Sequence, residues 1–297
     1  MVNTSRWPVT VDGTRLDTLA YNISTRSGRD LEPALAGENI DTGMRDGNIW
    51  VPHKKRDPGR LVLSMWVGGT DDDGAVPVGN DDYAKYIANL DKLKRMFGVT
   101  HRLLDVRLQM NASGTDIRQA LSEKSAIITP EMRASYPYTA EFTVELSIPG
   151  AFLQSVADAN FDSDTVLDPV VPDTDLPLAP FAAATAPMRD IWTVFDGPGT
   201  NVELTDNLNA HWMRYNGVVA NGSQWVVDTT SYTSKVGVGI AFTHNGTDVY
   251  DQTEYAGGHS PRMFGITADP LGPEINIGGS GFGANSRLRI RGKIKFL

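Results

Sequence analysis

Along most of the chain, apolar and polar residues alternate with a period of two, the pattern of strands that bury one face. The clearest run is RLRIRGKIKFL, residues 287–297. Leu288, Ile290, Ile294 and Phe296 fall on one side of it, and Arg287, Arg289, Arg291, Lys293 and Lys295 on the other. A disordered basic arm gripping nucleic acid has no need of such alternation, so a half-buried strand is the better reading. The same period places Leu104, Val106 and Leu108 of THRLLDVRLQM, and Phe142, Val144 and Leu146 of YTAEFTVELSIPG, on buried strand faces. RDPGRLVLSMWVGG predicts a turn at Pro58-Gly59 and a strand from Leu61 to Val67. Hairpin turns are expected at Asp12-Gly13 and Asp46-Gly47, where glycine accepts the positive φ of a tight turn.

One segment changes period. In NDDYAKYIANLDKLKRMFG, Tyr83, Ile87, Leu90, Leu93 and Phe97 recur at three- and four-residue intervals. Asn80 can cap the start, Asp81 and Asp82 suit the first turn, and Gly98 closes the end. Lys92, Lys94 and Arg95 complement the dipole of the last turn. The C-terminal part lacks this period; Asn-Gly at 216, 221 and 245 separates HWMRY, QWVVDTT and VGVGIAFTH, the spacing of an antiparallel sandwich. The expected class is therefore mainly β: a sandwich-like N-terminal domain with one packed helix, and a C-terminal antiparallel sandwich.

Charge divides the chain further. Residues 1–155 carry 18 basic and 20 acidic side chains, residues 189–297 carry 9 and 10, and the segment 156–188 has six aspartates, five prolines and no cation. Proline stiffens the backbone and like charges repel, so 156–188 is expected to be an extended acidic linker between domains 1–155 and 189–297. The 297 residues suffice for two cores. A net charge of -9 argues against a broad electrostatic nucleic-acid surface. No cysteine is present, which removes disulfides and thiolate chemistry. MVNTSRWPVTVDG lacks the basic start and apolar run of a signal peptide, and no stretch reaches the length of a membrane span, so a soluble compartment without membrane insertion is expected.

Candidate chemistry finds little support. NIGGSGFGAN leads into the final strand rather than into a helix, so it reads as a turn and not as a phosphate loop. Asp71, Asp72 and Asp73 invite a calcium reading, but the twelfth position of such a loop falls on Asp82, which begins the helix. His53, His101, His211, His244 and His259 share no ligand spacing. Glu141 and Glu145 share a strand face but stand roughly 13 Å apart, too far for a glycosidase pair. Residue 282 is Phe where a G-x-S-x-G elbow needs glycine. Neither catalytic residues nor a metal or cofactor site is expected, and the reading is that the chain is not an enzyme. Trp192, Trp212 and Trp225 could stack on sugars, although each lies in an alternating strand and suits a core.

The order of these segments resembles the distal tail protein (Dit) family of long, flexible-tailed phages, the siphoviruses, whose members are also described as minor tail proteins. The carrying stretches are DGTRLDTLAYN, RLVLSMWVGG, DDYAKYIANLDKLKRMFG, HRLLDVRLQMNASGTDIRQALSEKSAII and YTAEFTVELSIPGAFLQS, followed by IWTVFDGPGTNVEL through GPEINIGGSGFGANSRLRIRGKIKFL. The resemblance implies a ring-forming belt domain over 1–155, the linker over 156–188, and a galectin-like sandwich over 189–297. It further implies a structural role in the virion: a homohexamer at the tail tip or baseplate, assembled in the host cytoplasm. Such a ring joins the tail tube protein to the tail-tip hub and tape measure proteins, and DNA passes through it without specific binding. A closing sixfold ring needs two different complementary surfaces on each subunit. The cationic face Arg287, Arg289, Arg291, Lys293 and Lys295 is the candidate interface, meeting acidic protein surface, with the six-aspartate segment as one candidate. The alternative function is a carbohydrate-binding module that attaches to a host-surface glycan; a cell-wall hydrolase is a more distant one.

Overall fold

A computed structural model of the chain describes residues 8–16, 18–23, 28–29, 35–36, 40–41, 48–49, 55–56, 58–75, 82–111, 113–128, 139–165, 170–208, 211–256 and 264–296. They fall into two compact units that divide between Gln154 and Ser155. The fold is mainly β, with antiparallel ladders and, among the described residues, one α-helix.

The first unit is built mainly on one sheet, with two-stranded ladders that pair Leu35–Ala36 with Lys55–Arg56 and Ile40–Asp41 with Asn48–Ile49 in addition. The strands of the main sheet run in the order Thr14–Arg15, Pro8–Val11, Leu104–Gln109, Ile117–Ile128, Thr139–Ile148, Gly59–Gly68, Tyr21–Ile23. The central ladder is unbroken from Thr139 opposite Gly68 to Ile148 opposite Gly59. Alternation decides which residues are buried: Leu61, Leu63, Met65 and Val67 on one strand, Leu104, Val106 and Leu108 on another, Val144 and Leu146 on a third. The side chain of Phe142 lies outside the described residues, as does the expected turn at Asp46-Gly47. The first expected hairpin is present, with Asp12 at φ 50° and Gly13 at φ 79°, the left-handed pair a two-residue turn of this kind requires.

The helix Asp82–Phe97 packs on the strand Gly59–Gly68. Asn80 and Asp81, the expected cap and first-turn acid, lie outside the described residues. Its buried face is Asp82, Tyr86, Asn89, Leu90, Leu93 and Phe97. The expected stripe named Tyr83 and Ile87 instead, yet Tyr83 is 46% exposed. The N-terminal half is turned by one position because Asn89 has hydrogen-bond partners on the sheet, so a polar residue enters the stripe that apolar periodicity alone would have excluded.

The second unit is a sandwich of two six-stranded sheets. One runs Ala159–Asp162, Arg287–Gly292, Ile191–Asp196, Gln224–Asp228, Thr233–Gly237, Thr247–Asp248. The other runs Thr174–Pro177, Glu274–Ser280, Gly199–Asp206, His211–Tyr215, Thr253–Tyr255, with Val218–Val219 beside Gly199–Asp206. Phe195, Trp225, Val227, Leu288 and Ile290 of the first sheet meet Val202, Leu204, Met213, Ile275 and Ile277 of the second in one core. Val194 and Val226, on the reverse face of the first sheet, are covered by Ile240 with Ala241 and Phe242 beside it.

The reading of 156–188 as an extended linker is corrected by this arrangement. Ala159–Asp162 pairs with Arg287–Gly292, and Thr174–Pro177 pairs with Glu274–Ser280, one at the edge of each sheet. Phe161, Val170, Leu176, Leu178, Phe181 and Met188 are buried in the sandwich core. Proline is tolerated on edge strands, where its missing donor costs no ladder bond. The apolar residues between the aspartates are buried in the core, and Asp158, Asp162 and Asp164 face cations of the distant C-terminal residues, which offsets the self-repulsion that suggested an extended chain.

Candidate functional site

The strand Arg287–Gly292 is interior to its sheet, flanked by Ala159–Asp162 and Ile191–Asp196. Leu288 and Ile290 point into the core, and the arginines to the reverse face. Each of the five candidate interface cations has a carboxylate of the same unit beside it. Arg287 forks onto Asp162, with Nε donating to Oδ1 at 2.7 Å, and its Nε lies 2.9 Å from Asp164. Arg289 makes a second fork onto Asp196, at 2.9 and 2.7 Å. Arg291 and Lys293 approach Asp158 at 3.8 and 3.1 Å, and Lys295 approaches Asp190 at 2.9 Å. Beyond Gly292 the alternation breaks: Lys295 is buried together with Phe296. The Arg287 hydrogen bond holds Asp162 below its ordinary carboxylate value against the opposing effect of burial, and the same bond raises Arg287. Arg291 also lies over the Phe242 ring, 4.3 Å from its centroid. These contacts match the charge of the strand inside the sandwich, so its reverse face is not an open basic surface.

Beside the two forks lies a polar cleft of about 430 Å³, lined by Asp164, Asp196, Asn221, Asn285, Arg287 and Arg289 together with Ser223 and the backbone of Gly197 and Gly222. Its walls are held by a second layer of bonds. Gly197 N donates to Ser223 O at 2.9 Å, Gln224 Nε2 to Asp196 Oδ1 at 2.7 Å, and Asn285 Nδ2 to Asn221 Oδ1 at 3.0 Å. Gly197 is required there: a Cβ would come within 2.5 Å of Ala220 O. Ser286 Oγ donates to Pro198 O at 2.6 Å and accepts from Gly283 N at 2.9 Å, fixing the turn that carries Asn285. The guanidinium planes of Arg287 and Arg289 are thus oriented by carboxylates, with Nη1 of each outside the forks.

In the first unit a buried polar contact stands where the helix meets the sheet. Asn89, 5% exposed, donates through Nδ2 to Gly68 O at 2.8 Å and to Thr70 O at 2.9 Å. The Asp71–Asp73 loop pairs with helix lysines, Asp71 with Lys85 and Asp72 with Lys92 at 3.7 Å, so its acids act on the helix. Among the described residues no group of three or more His, Asp or Glu side chains is placed to hold a metal ion. Asp12 and Arg102 pair at 2.8 Å, and that bond lowers the Asp12 carboxyl.

The other expected positions are dispersed. Glu145 pairs with Arg60 at 2.6 Å on the strand that also carries Glu141. Trp225 is core, with its Nε1 donating to Ser234 Oγ at 2.9 Å. Trp192 is half-buried, its ring centroid 4.8 Å from that of His244, and Arg214 lies 5.4 Å over Trp212. His53 and His259 lie outside the described residues. The glycine-rich run forms the end of Glu274–Ser280 and the turn before Arg287. Among the described residues, no helix is long and apolar enough to cross a membrane. Sequence reasoning missed Asn89, Asn221 and Asn285; only Asn89 left a local trace, lying three residues after Tyr86 and four before Leu93.

No family model and no curated protein matches the sequence. Solved structures do match in shape. The crystal structure of the Dit protein of phage SPP1, described as a paradigm of the hub adsorption apparatus in phages that infect Gram-positive bacteria, superposes with a TM-score of 0.61 at 11% identity, over 99% of this chain and 100% of that one. A chain of the phage P2 baseplate in its activated conformation with calcium gives 0.41 at 6% identity, over 98% of each chain. The first likeness shows that the chain has the fold of the SPP1 Dit protein from end to end.

Proposed function

We propose that the chain is a structural component of a bacteriophage tail tip, which assembles as a hexameric ring through its first unit and joins the tail tube to the tail-tip and baseplate proteins. One observation carries this reading: the fold is shared with the SPP1 Dit protein over the whole length of both chains, both units included. A structural role also suits the described residues, whose acids and bases are engaged in ion pairs that hold strands and the helix in place rather than gathered around a reacting centre. In this reading the partners are further copies of the chain, the tail tube protein, and the hub and tape measure proteins, and DNA passes through the ring. A ring can pair or cover the edges of its subunits' sheets.

The test is the mass of the purified protein by light scattering, together with negatively stained particles. The expected result is six copies of the 32.3 kDa chain around a central hole, formed either alone or on added tail tubes. A chain that stays monomeric at high concentration and is not captured by tail tubes defeats the proposal.

A further inference from the structure

The cleft beside Arg287 and Arg289 has a chemistry that the ring does not use, and we propose that it is a binding site for a neutral saccharide. Asp164 and Asp196 in its lining oppose an anion, and Arg287 and Arg289 oppose a cation. Among the described residues of the lining, Ala284 is the one apolar side chain beyond the glycines, so neither a lipid nor an apolar peptide side chain finds a complementary wall. What the cleft offers is paired donors and acceptors in fixed positions. Nη1 of Arg287 and of Arg289, Nδ2 of Asn221 and Oγ of Ser223 are donors outside the bonds that hold the walls. Oδ1 of Asn285 and the carboxylate of Asp196 keep acceptor capacity.

Neighbouring hydroxyls of a sugar ring each donate and accept, and planar amide, carboxylate and guanidinium groups can bridge two at once. The volume of about 430 Å³ suits a small ligand. The second layer of bonds fixes the side chains before a ligand arrives, which lowers the entropy cost of binding. The cleft contains none of Trp192, Trp212 and Trp225, so it is a different place from an aromatic sugar platform. The site stands whether or not the chain forms a ring.

The test uses the purified full chain against a printed array of neutral and anionic oligosaccharides, then titration with the free hexose or N-acetylhexosamine disaccharides that score. Asn221→Ala and Asn285→Ala lie on exposed turns and leave both arginine forks intact. The expected result is binding of a neutral saccharide that each substitution weakens by about tenfold, with the melting temperature held. Trp212→Ala should leave binding unchanged. The proposal is overturned if no neutral saccharide binds, if only anionic glycans bind, or if the loss follows Trp212→Ala while the two asparagine variants bind normally.

Discussion

The first unit packs one helix on its long sheet, whereas the second closes two sheets face to face, and polar residues are placed differently in the two. In the sandwich the shared core is largely apolar, with Ser234 bonded to Thr253 and to Trp225 within it, and the ion pairs of Arg287, Arg289, Arg291 and Lys293 lie on the reverse face of one sheet. In the first unit a buried amide, Asn89, stands within the contact between helix and strand. A helix presents only a stripe to the sheet beneath it, and the strand Gly59–Gly68 ends under that stripe, which brings the carbonyls of Gly68 and Thr70 to the helix. Asn89 supplies their donors. Two facing sheets satisfy their own backbones, so their interface is filled mainly by apolar side chains. Loss of apolar volume should therefore dominate in the second unit, and loss of one hydrogen-bonding group should matter most in the first.

The largest expected effect comes from Trp225→Ala. It empties a position 1% exposed and removes the indole donor to Ser234 Oγ. The expected cost is about 3–5 kcal/mol, read by denaturant unfolding, with amide exchange rising first within residues 155–296. A uniform rise over both units would break the comparison. Next is Asn89→Leu, which keeps the size but leaves Gly68 O and Thr70 O without their donor. A loss of about 1–3 kcal/mol is expected, with exchange rising in the helix. A loss below about 0.5 kcal/mol would mean that Leu90, Leu93 and Phe97 alone hold it.

This contrast also explains what the sequence could disclose. Strands with one buried face announce themselves locally, so Leu61 to Val67, Leu104 to Leu108 and Leu288 to Ile290 were legible, as was the hairpin at Asp12-Gly13. The helix was legible but its face was not, because apolar periodicity assigns no place to an amide with partners on another strand. Residues 156–188 were misread because averaging their aspartates and prolines conceals Phe161, Val170 and Leu176, and because Asp162 meets Arg287 across a separation of 125 residues. The cleft was invisible for the same reason: Asn221 and Asn285 are 64 residues apart, and nothing in either turn names the other.

Smaller effects follow from the charges on the reverse face. Asp196→Asn weakens the fork of Arg289, whose side chain is 22% exposed against 20% for the aspartate. The expected cost, discounted for that exposure, is about 1 kcal/mol, and it should shrink in high salt. A cost independent of salt would assign the effect to packing rather than charge. The least is expected from exposed pairs such as Lys92 with Asp72, where Lys92→Ala should change stability by less than about 0.5 kcal/mol.

Acid sensitivity sharpens the same distinction. Asp162 is held below the ordinary carboxylate value of 3.8 by the hydrogen bond from Arg287. Its folded form therefore binds its proton less readily than the unfolded chain does. The stability it contributes is fully present above that ordinary value and disappears as pH falls through the lowered one. Asp12, lowered by Arg102, gives the first unit a contribution of the same sign. Thermal melting followed from about pH 5 to pH 2 should show a drop in stability that is reduced in Asp162→Asn and, separately, in Asp12→Asn. Amide exchange assigns each reduction to its own unit. If Asp162→Asn leaves the acid slope of residues 155–296 unchanged, the aspartates of 156–188 do not stabilise the sandwich through Arg287, and apolar burial alone holds that segment in the fold.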